Sequence, residues 1–202
     1  MIAIIDYGAG NLQSVKKAFD YLGVDTMVTE NPEELMRAEG AVLPGVGAFG
    51  DAMAALRSRG LEGPVKEYAA SGRPFLGICL GLQLLFEGSE EAPGVPGLGL
   101  FRGKIVRIPQ KEGLKIPHIG WNSLEVKRRD GLFAGLEEEP YVYFVHSYYL
   151  KAEDPSLVSA QTRYGVLIDA AVQRGALHAV QFHPEKSGRT GLAMLKNFAA
   201  LL

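Results

Sequence analysis

Continuous apolar runs alternate with apolar stripes of helical spacing along the first part of the chain. Ile2-Ala3-Ile4-Ile5 is a short unbroken run of the kind a buried strand makes. Leu12, Val15, Phe19 and Leu22 follow at offsets of three, four and three, which is one face of a helix. Val24 to Thr29 predicts a strand, and Asn31-Pro32-Glu33-Glu34 predicts a helix start with Asn as cap and Pro at the first position. Ala41-Val42-Leu43 predicts the next buried strand. A helix from about Asp51 to Leu56 follows, then another ending near Ser71-Gly72. Arg73-Pro74-Phe75-Leu76-Gly77-Ile78 predicts a strand, and Leu82-Gln83-Leu84-Leu85-Phe86 a helix. Strands apolar on both faces, alternating with helices, predict a parallel sheet covered on both sides.

The pattern then changes. Residues 87–99, rich in Gly, Pro and Glu, predict a surface loop. From Phe101 to about Leu177, short runs rich in Val, Ile and Tyr are separated by Gly, Pro and Asp, as in antiparallel strands. Gly188 to Leu202 returns to a helix, with Leu192, Leu195, Phe198 and Ala199 on one face. The expected fold is therefore α/β: a mostly parallel sheet with helices on both faces and an antiparallel, β-rich second half. No repeat or linker divides the 202 residues, so one domain over 1–202 is expected.

Composition excludes several function classes. The chain is 47% hydrophobic and 22% charged, with net charge −2, which predicts a soluble globular protein and no polyanion-binding surface. The cluster Lys127-Arg128-Arg129 is followed at once by Asp130 and reads as a solvated turn. No segment approaches the roughly 20 apolar residues of a membrane helix, and no basic leader precedes the first strand. A single cysteine allows no internal disulfide and suits a reducing compartment, so a cytoplasmic location is expected.

That cysteine is the centre of Gly77-Ile78-Cys79-Leu80-Gly81, between a predicted strand and a predicted helix. A nucleophile at such a turn is held in a strained conformation and projects into a cleft. The helix that follows directs its positive end at the sulfur, favouring thiolate. Taken alone, Cys79 is equally an apolar core residue. A second segment, Ala179-Val180-Gln181-Phe182-His183-Pro184-Glu185, changes the balance, because a thiol needs a base and the base an orienting group. Strand alternation would turn His183 and Glu185 the same way, although Pro184 ends the regular strand. Ligands of open α/β sheets bind at the carboxyl ends of the strands, and Gly45-Val46-Gly47, Cys79 and His183 all follow predicted strands. His118 and His178 have no carboxylate nearby in sequence and read as structural, and His146 is a weaker base than His183 for the same reason. No Cys/His spacing indicates a metal, and Gly8-Ala9-Gly10-Asn11 lacks the rest of a nucleotide fingerprint.

Gly-Ile-Cys-Leu-Gly together with Phe-His-Pro-Glu resembles the triad-type (class I) glutamine amidotransferases. Five further segments are Asp6-Tyr7-Gly8-Ala9-Gly10-Asn11, Leu43-Pro44-Gly45-Val46-Gly47-Ala48-Phe49, Pro117-His118-Ile119-Gly120-Trp121-Asn122, Tyr143 to Tyr149 and His183-Pro184-Glu185-Lys186-Ser187. Within the family, these are similar to the glutaminase subunits of imidazole glycerol phosphate synthases, which serve histidine biosynthesis. The resemblance spans nearly the whole chain. It implies Cys79, His183 and Glu185 as catalytic residues, with L-glutamine as substrate, glutamate and ammonia as products, and no cofactor. The oxyanion donors would be the N–H of Leu80, placed by the elbow, and that of Val46 in a loop whose glycines let the backbone approach a ligand. Gln83, one helical turn beyond Cys79, would bind the substrate's polar groups, as would Gly47, Glu91 and the backbone at Ser147.

The resemblance further implies that ammonia passes to a cyclase carried on a separate chain, in a heterodimer. Asn11, Trp121, Tyr143 and Lys186 are the interface candidates. From residue type alone, Trp121 and Tyr143 are equally core aromatics, and Glu91 with Glu90 could simply solvate a loop. An amidotransferase subunit serving another synthase is the alternative within enzymes. A cysteine-bearing sensor without glutamine chemistry is the alternative outside them, although a sensor has no need of an oriented base.

Overall fold

The computed structural model describes residues 1–8 and 10–202; Ala9 of the predicted Gly8-Ala9-Gly10 turn lies outside the described residues. The first half alternates as the pattern predicts: β1 (Ile2–Ile5), α1 (Leu12–Tyr21), β2 (Thr26–Thr29), α2 (Pro32–Arg37), β3 (Gly40–Gly45), α3 (Phe49–Ser58), α4 (Glu62–Ala70), β4 (Phe75–Cys79) and α5 (Leu80–Leu84). Asn31 caps α2 as expected, its side-chain oxygen accepting from the Glu33 N–H at 2.8 Å with Pro32 next in line. Glu33 and Glu34 in the first turn and Arg37 in the last complement the helix dipole.

The second half is β5 (Gly88–Ser89), β6 (Gly103–Arg107), β7 (His118–Ser123), β8 (Glu125–Val126), β9 (Tyr141–His146), β10 (Tyr148–Ala152), β11 (Val158–Tyr164), β12 (Val166–Arg174) and β13 (Leu177–Val180), closed by α6 (Gly188–Ala199). The predicted loop 87–99 is tied down more than its composition suggested. Gly88 and Ser89 pair with Lys104 and Ile105, and Leu98 is buried. One sheet runs in the order β2-β1-β3-β4-β13-β12-β10-β6-β5, with β11 and β8 continuing from β12, while β7 and β9 form a separate antiparallel pair. Its β2-β1-β3-β4-β13 part is parallel, and the β12, β10, β11 and β8 pairings are antiparallel.

Alternation along β1 sorts the core. Ala3 and Ile5 pack with Leu35, Met53, Leu56, Val65 and Tyr68 of α2, α3 and α4 on one face. Ile2 and Ile4 pack with Val15 and Phe19 of α1 and Met194, Leu195 and Phe198 of α6 on the other. A strand buried on both faces has no polar positions to spare, which is why it reads as an unbroken apolar run. The carboxyl ends of β3 and β4 lie side by side, with Gly45 opposite Cys79, and Val180 of β13 pairs with Ile78. The sheet register thus brings three loops that are distant in sequence to one rim.

Candidate active site

Cys79 ends β4 with φ 55° and ψ −107°, a conformation a non-glycine residue adopts only under constraint, and α5 starts at the next residue. Space at the elbow is minimal. A Cβ at Gly81 would come within 1.8 Å of the Leu43 carbonyl oxygen, and one at Gly45 within 2.2 Å of the Tyr7 hydroxyl. The two glycines therefore let the elbow pack directly on β3. The sulfur is nearly buried and opens onto a cleft of about 480 Å³ lined by Val46, Gly47, Leu80, Gln83, Glu91, Ser147 and Lys186, among others.

His183 and Glu185 lie behind Cys79, each with a side chain at most 1% exposed. His183 Nδ1 is 2.8 Å from Glu185 Oε1. Strand alternation does not achieve this pairing. β13 ends at Val180, and Pro184–Lys186 is a 3-10 turn that curls the carboxylate back under the ring. Proline fixes the entry into that turn. Nε2 of His183 has no in-line hydrogen-bond partner among the described residues and is available to the thiol or a reacting amide. Burial alone would lower the pKa of this ring, but the Cys79 sulfur and the Glu185 carboxylate override it and raise it to about 9. The arrangement favours the protonated imidazolium form of His183.

His183 is fixed from two further sides. Its backbone N–H donates to the Tyr143 carbonyl at 2.9 Å, and its backbone carbonyl accepts from Ser187 Oγ at 2.6 Å. The Tyr143 N–H in turn donates to Ser187 Oγ at 3.0 Å. Ser187 was not singled out from sequence, although its place directly after His-Pro-Glu-Lys was the available signal. Asn11, read from sequence as an interface residue, donates its side-chain N–H to Glu185 Oε1. Its side chain is engaged inside the site, from a left-handed backbone position at the start of α1.

Gln83 uses both hydrogens of its side-chain amide internally, on the Tyr148 carbonyl at 3.1 Å and Gln181 Oε1 at 3.0 Å. Its oxygen is thereby left to accept from a ligand in the cleft. Glu91 lines the cleft and also accepts the Phe49 N–H at 2.8 Å, so it is anchored at the start of α3 and is not a freely solvated loop residue. Gly47 has φ +104° and open space around it. Ser147, between β9 and β10, gives its carbonyl to the Ile108 N–H at 2.9 Å. Val46 is 38% exposed at the mouth. Tyr7, which the sequence shows only as part of the Asp6 to Asn11 segment, borders the elbow. Its buried hydroxyl lies against Gly45 and lacks a hydrogen-bond partner among the described residues, and burial with the nearby sulfur raises its pKa.

Trp121 is 55% exposed and meets Tyr143 edge-on at 6.2 Å, so Trp121 is not a core aromatic. The register Trp121↔Tyr143 and Ser123↔Tyr141 adds Tyr141 to the same outer face, and alternation adds Ile119. Both are more than half exposed, and the alternation of β7 and β9 was the signal that could have revealed them. Lys186 is exposed at the cleft edge.

The glutamine amidotransferase class-I family matches residues 3–201. The chain belongs to the class I glutamine amidotransferases. Among curated relatives it is 52% identical to the imidazole glycerol phosphate synthase subunit HisH of Moorella thermoacetica, over 100% of this chain and 95% of that one. It is 51% identical to the protein of the same name from Methanothermobacter thermautotrophicus, over 100% and 99%. A solved structure titled as a glutamine amidotransferase superposes with TM-score 0.77 over 100% of this chain and 98% of its own, at 22% identity, a likeness of fold. In this chain the parallel part of the sheet carries the elbow, and the antiparallel part supplies the cleft wall at Ser147 and Tyr148.

The three remaining histidines are held neutral by burial, which lowers His118 and His178 to about 4 and His146 to about 3. In the unfolded chain each titrates near 6.5. Below that pH the unfolded state binds protons the native state refuses, so stability falls as the pH drops from about 6.5 toward 4. Urea-unfolding midpoints should decrease between pH 7 and pH 5, a window above the range of ordinary carboxylates. An unchanged midpoint would show that the rings are not kept neutral.

Proposed function

We propose that this chain is the glutaminase subunit of an imidazole glycerol phosphate synthase, hydrolysing L-glutamine and delivering ammonia to a separate cyclase subunit for histidine biosynthesis. The observation that carries the reading is the buried Glu185–His183 pair behind a cysteine at a strained elbow, in a chain about half identical to relatives of that name. The whole of 1–202 acts as one amidotransferase domain.

The chemistry follows from the groups present. The Cys79 sulfur attacks the side-chain carbonyl carbon of glutamine, and its proton resides on His183. The oxygen becomes an oxyanion facing the N–H groups of Leu80 and Val46. His183 returns the proton to the departing nitrogen, the C–N bond breaks, and ammonia leaves a thioester on Cys79. Water, deprotonated by His183, then cleaves the C–S bond, giving glutamate and restoring the thiol. Gln83, Glu91, Gly47 and the Ser147 backbone hold the substrate. Ile119, Trp121, Tyr141, Tyr143 and Lys186 form the face that meets the cyclase, with Asn11 linking that side to Glu185. No helix among the described residues is long and apolar enough to cross a membrane, and a nucleophilic thiol must stay reduced, which suits the cytoplasm.

The deciding experiment is glutamate release with and without the cyclase and its ribonucleotide ligand, together with identification of the partner that copurifies. Amidotransferase activity that supports a different synthase would redirect the assignment. His183→Ala and Glu185→Ala should act as one unit. The Glu185 change alone is the milder, and the double variant should lose little more than His183→Ala. A double variant whose loss equals the product of the two single losses would break the triad assignment.

A further inference from the structure

Gln181 has no place in the triad, yet its side chain is wholly buried and its amide nitrogen donates to Cys79 Sγ at 3.7 Å. We propose that Gln181 is a positioning residue for the nucleophile, fixing the Cys79 sulfur and stabilising its charged form. The inference rests on Cys79 being the nucleophile of the glutaminase reading.

The direction of the Gln181 amide follows from a backbone carbonyl. The Tyr148 oxygen only accepts, so the group that Gln83 presents to it is its nitrogen. That same nitrogen lies 3.0 Å from the Gln181 side chain, which must therefore present oxygen to Gln83 and nitrogen to the sulfur. The Tyr148 carbonyl is itself held by His146 Nδ1 at 2.9 Å, which places the ring proton on Nδ1. Nε2 of His146 then accepts from His118 Nδ1 at 3.0 Å. His118 is clamped between Phe144 and Tyr164, with ring centroids 4.7 and 3.8 Å away. One consistent set of donors and acceptors thus runs from β7 to the sulfur and leaves Gln181 no freedom to turn its oxygen toward Cys79.

An N–H aimed at sulfur gains little from a neutral thiol and much from a thiolate, because hydrogen bonds to charged groups are the strong ones. Gln181 and His183 sit two residues apart after β13, and both serve the same sulfur. Gln181 acts through the placement and charge of the sulfur and does not itself transfer the proton.

The test uses the complex with the cyclase. Gln181→Met keeps the length of the side chain and removes both donors. Glutamine hydrolysis should lose about 10- to 100-fold in kcat, with KM within about threefold. Carboxamidomethylation of Cys79 by iodoacetamide should slow by a similar factor, read cleanly because the chain has a single cysteine. Gln181→Glu, of the same shape but with an oxygen against the sulfur, should be slower still in both assays. Wild-type kcat and alkylation rate in Gln181→Met would overturn the inference, and so would a loss of kcat with unchanged alkylation. Should the variants not fold, the wild-type protein decides. Its Gln181 side-chain amide resonance should shift when Cys79 is carboxamidomethylated, and no shift overturns the proposal. A wild-type complex that releases no glutamate would refute the glutaminase reading and the inference together, whereas an active wild type beside an unaffected Gln181→Met refutes the inference alone.

Discussion

Cys79→Ala should abolish glutamine-dependent synthesis while the protein stays folded and its partner continues to work with ammonium salts. Cys79 is the only thiol in the chain, and it stands at the elbow itself. Loss of a covalent nucleophile in a triad costs on the order of 10⁴-fold or more, leaving only what binding and the oxyanion donors supply. The structural effect is small by comparison. The side chain loses one sulfur, and the Gln181 N–H loses its acceptor, a cost of about 1–3 kcal/mol. The measurement is glutamate release, ammonium-dependent turnover by the cyclase and a thermal melt of the variant. Substantial glutaminase activity in a folded Cys79→Ala protein would defeat the mechanism. Failure of the ammonium reaction would point to damage at the interface.

The second large effect is expected from the partner. The chain alone should be a poor glutaminase, switched on by the cyclase and its ligand. Val46 is 38% exposed between Gly45 and Gly47, and the two glycines differ. Gly45 is wedged against the Tyr7 hydroxyl and Leu80, whereas Gly47 has φ +104° and no neighbour where a Cβ would stand. A peptide between a fixed and a free glycine can turn, presenting or withdrawing the Val46 N–H. Losing one oxyanion donor costs about 2.7–4 kcal/mol, roughly a hundred- to a thousandfold in rate. Glutamine would then be spared when no acceptor is bound. Lys186 is exposed at the cleft edge one residue after Glu185, and we propose that it reports the partner's state, with an acidic group of the cyclase as its expected contact. Lys186→Ala should weaken activation without altering the melt. Steady-state glutamate production by the chain alone, with cyclase, and with cyclase plus ligand tests the switch. Equal rates in all three would rule it out.

How much of this was legible in the sequence varied with the range of the interactions. The Asn31-Pro32 cap, the buried strands and the elbow at Cys79 depend on neighbours within a few residues, and they fold where the pattern places them. Glu185 meets His183 as its position suggested, but through a 3-10 turn and not through strand alternation, because proline closes the strand first. Gln181 stood in plain view two residues before His183. Its meaning depends on Gln83 and Tyr148, whose proximity only the β4–β13 and β10–β12 pairings create. Tyr7 likewise comes against Gly45 because β1 lies beside β3, and Asn11 meets Glu185 because α1 lies beside the Pro184–Lys186 turn.

By itself, the sequence determined the alternating first half and the β-rich second half, and it singled out the candidate nucleophile and the candidate base. Each of these is written as a local pattern: a period of hydrophobic residues, a glycine-flanked cysteine, a histidine with a carboxylate two positions on. Only the tertiary structure decided which polar groups face the sulfur, which ring nitrogen carries a proton, and that Trp121 looks outward while Asn11 looks in. Those outcomes depend on sheet register and on the pairing of buried donors with acceptors, and both are set by residues far apart in the chain.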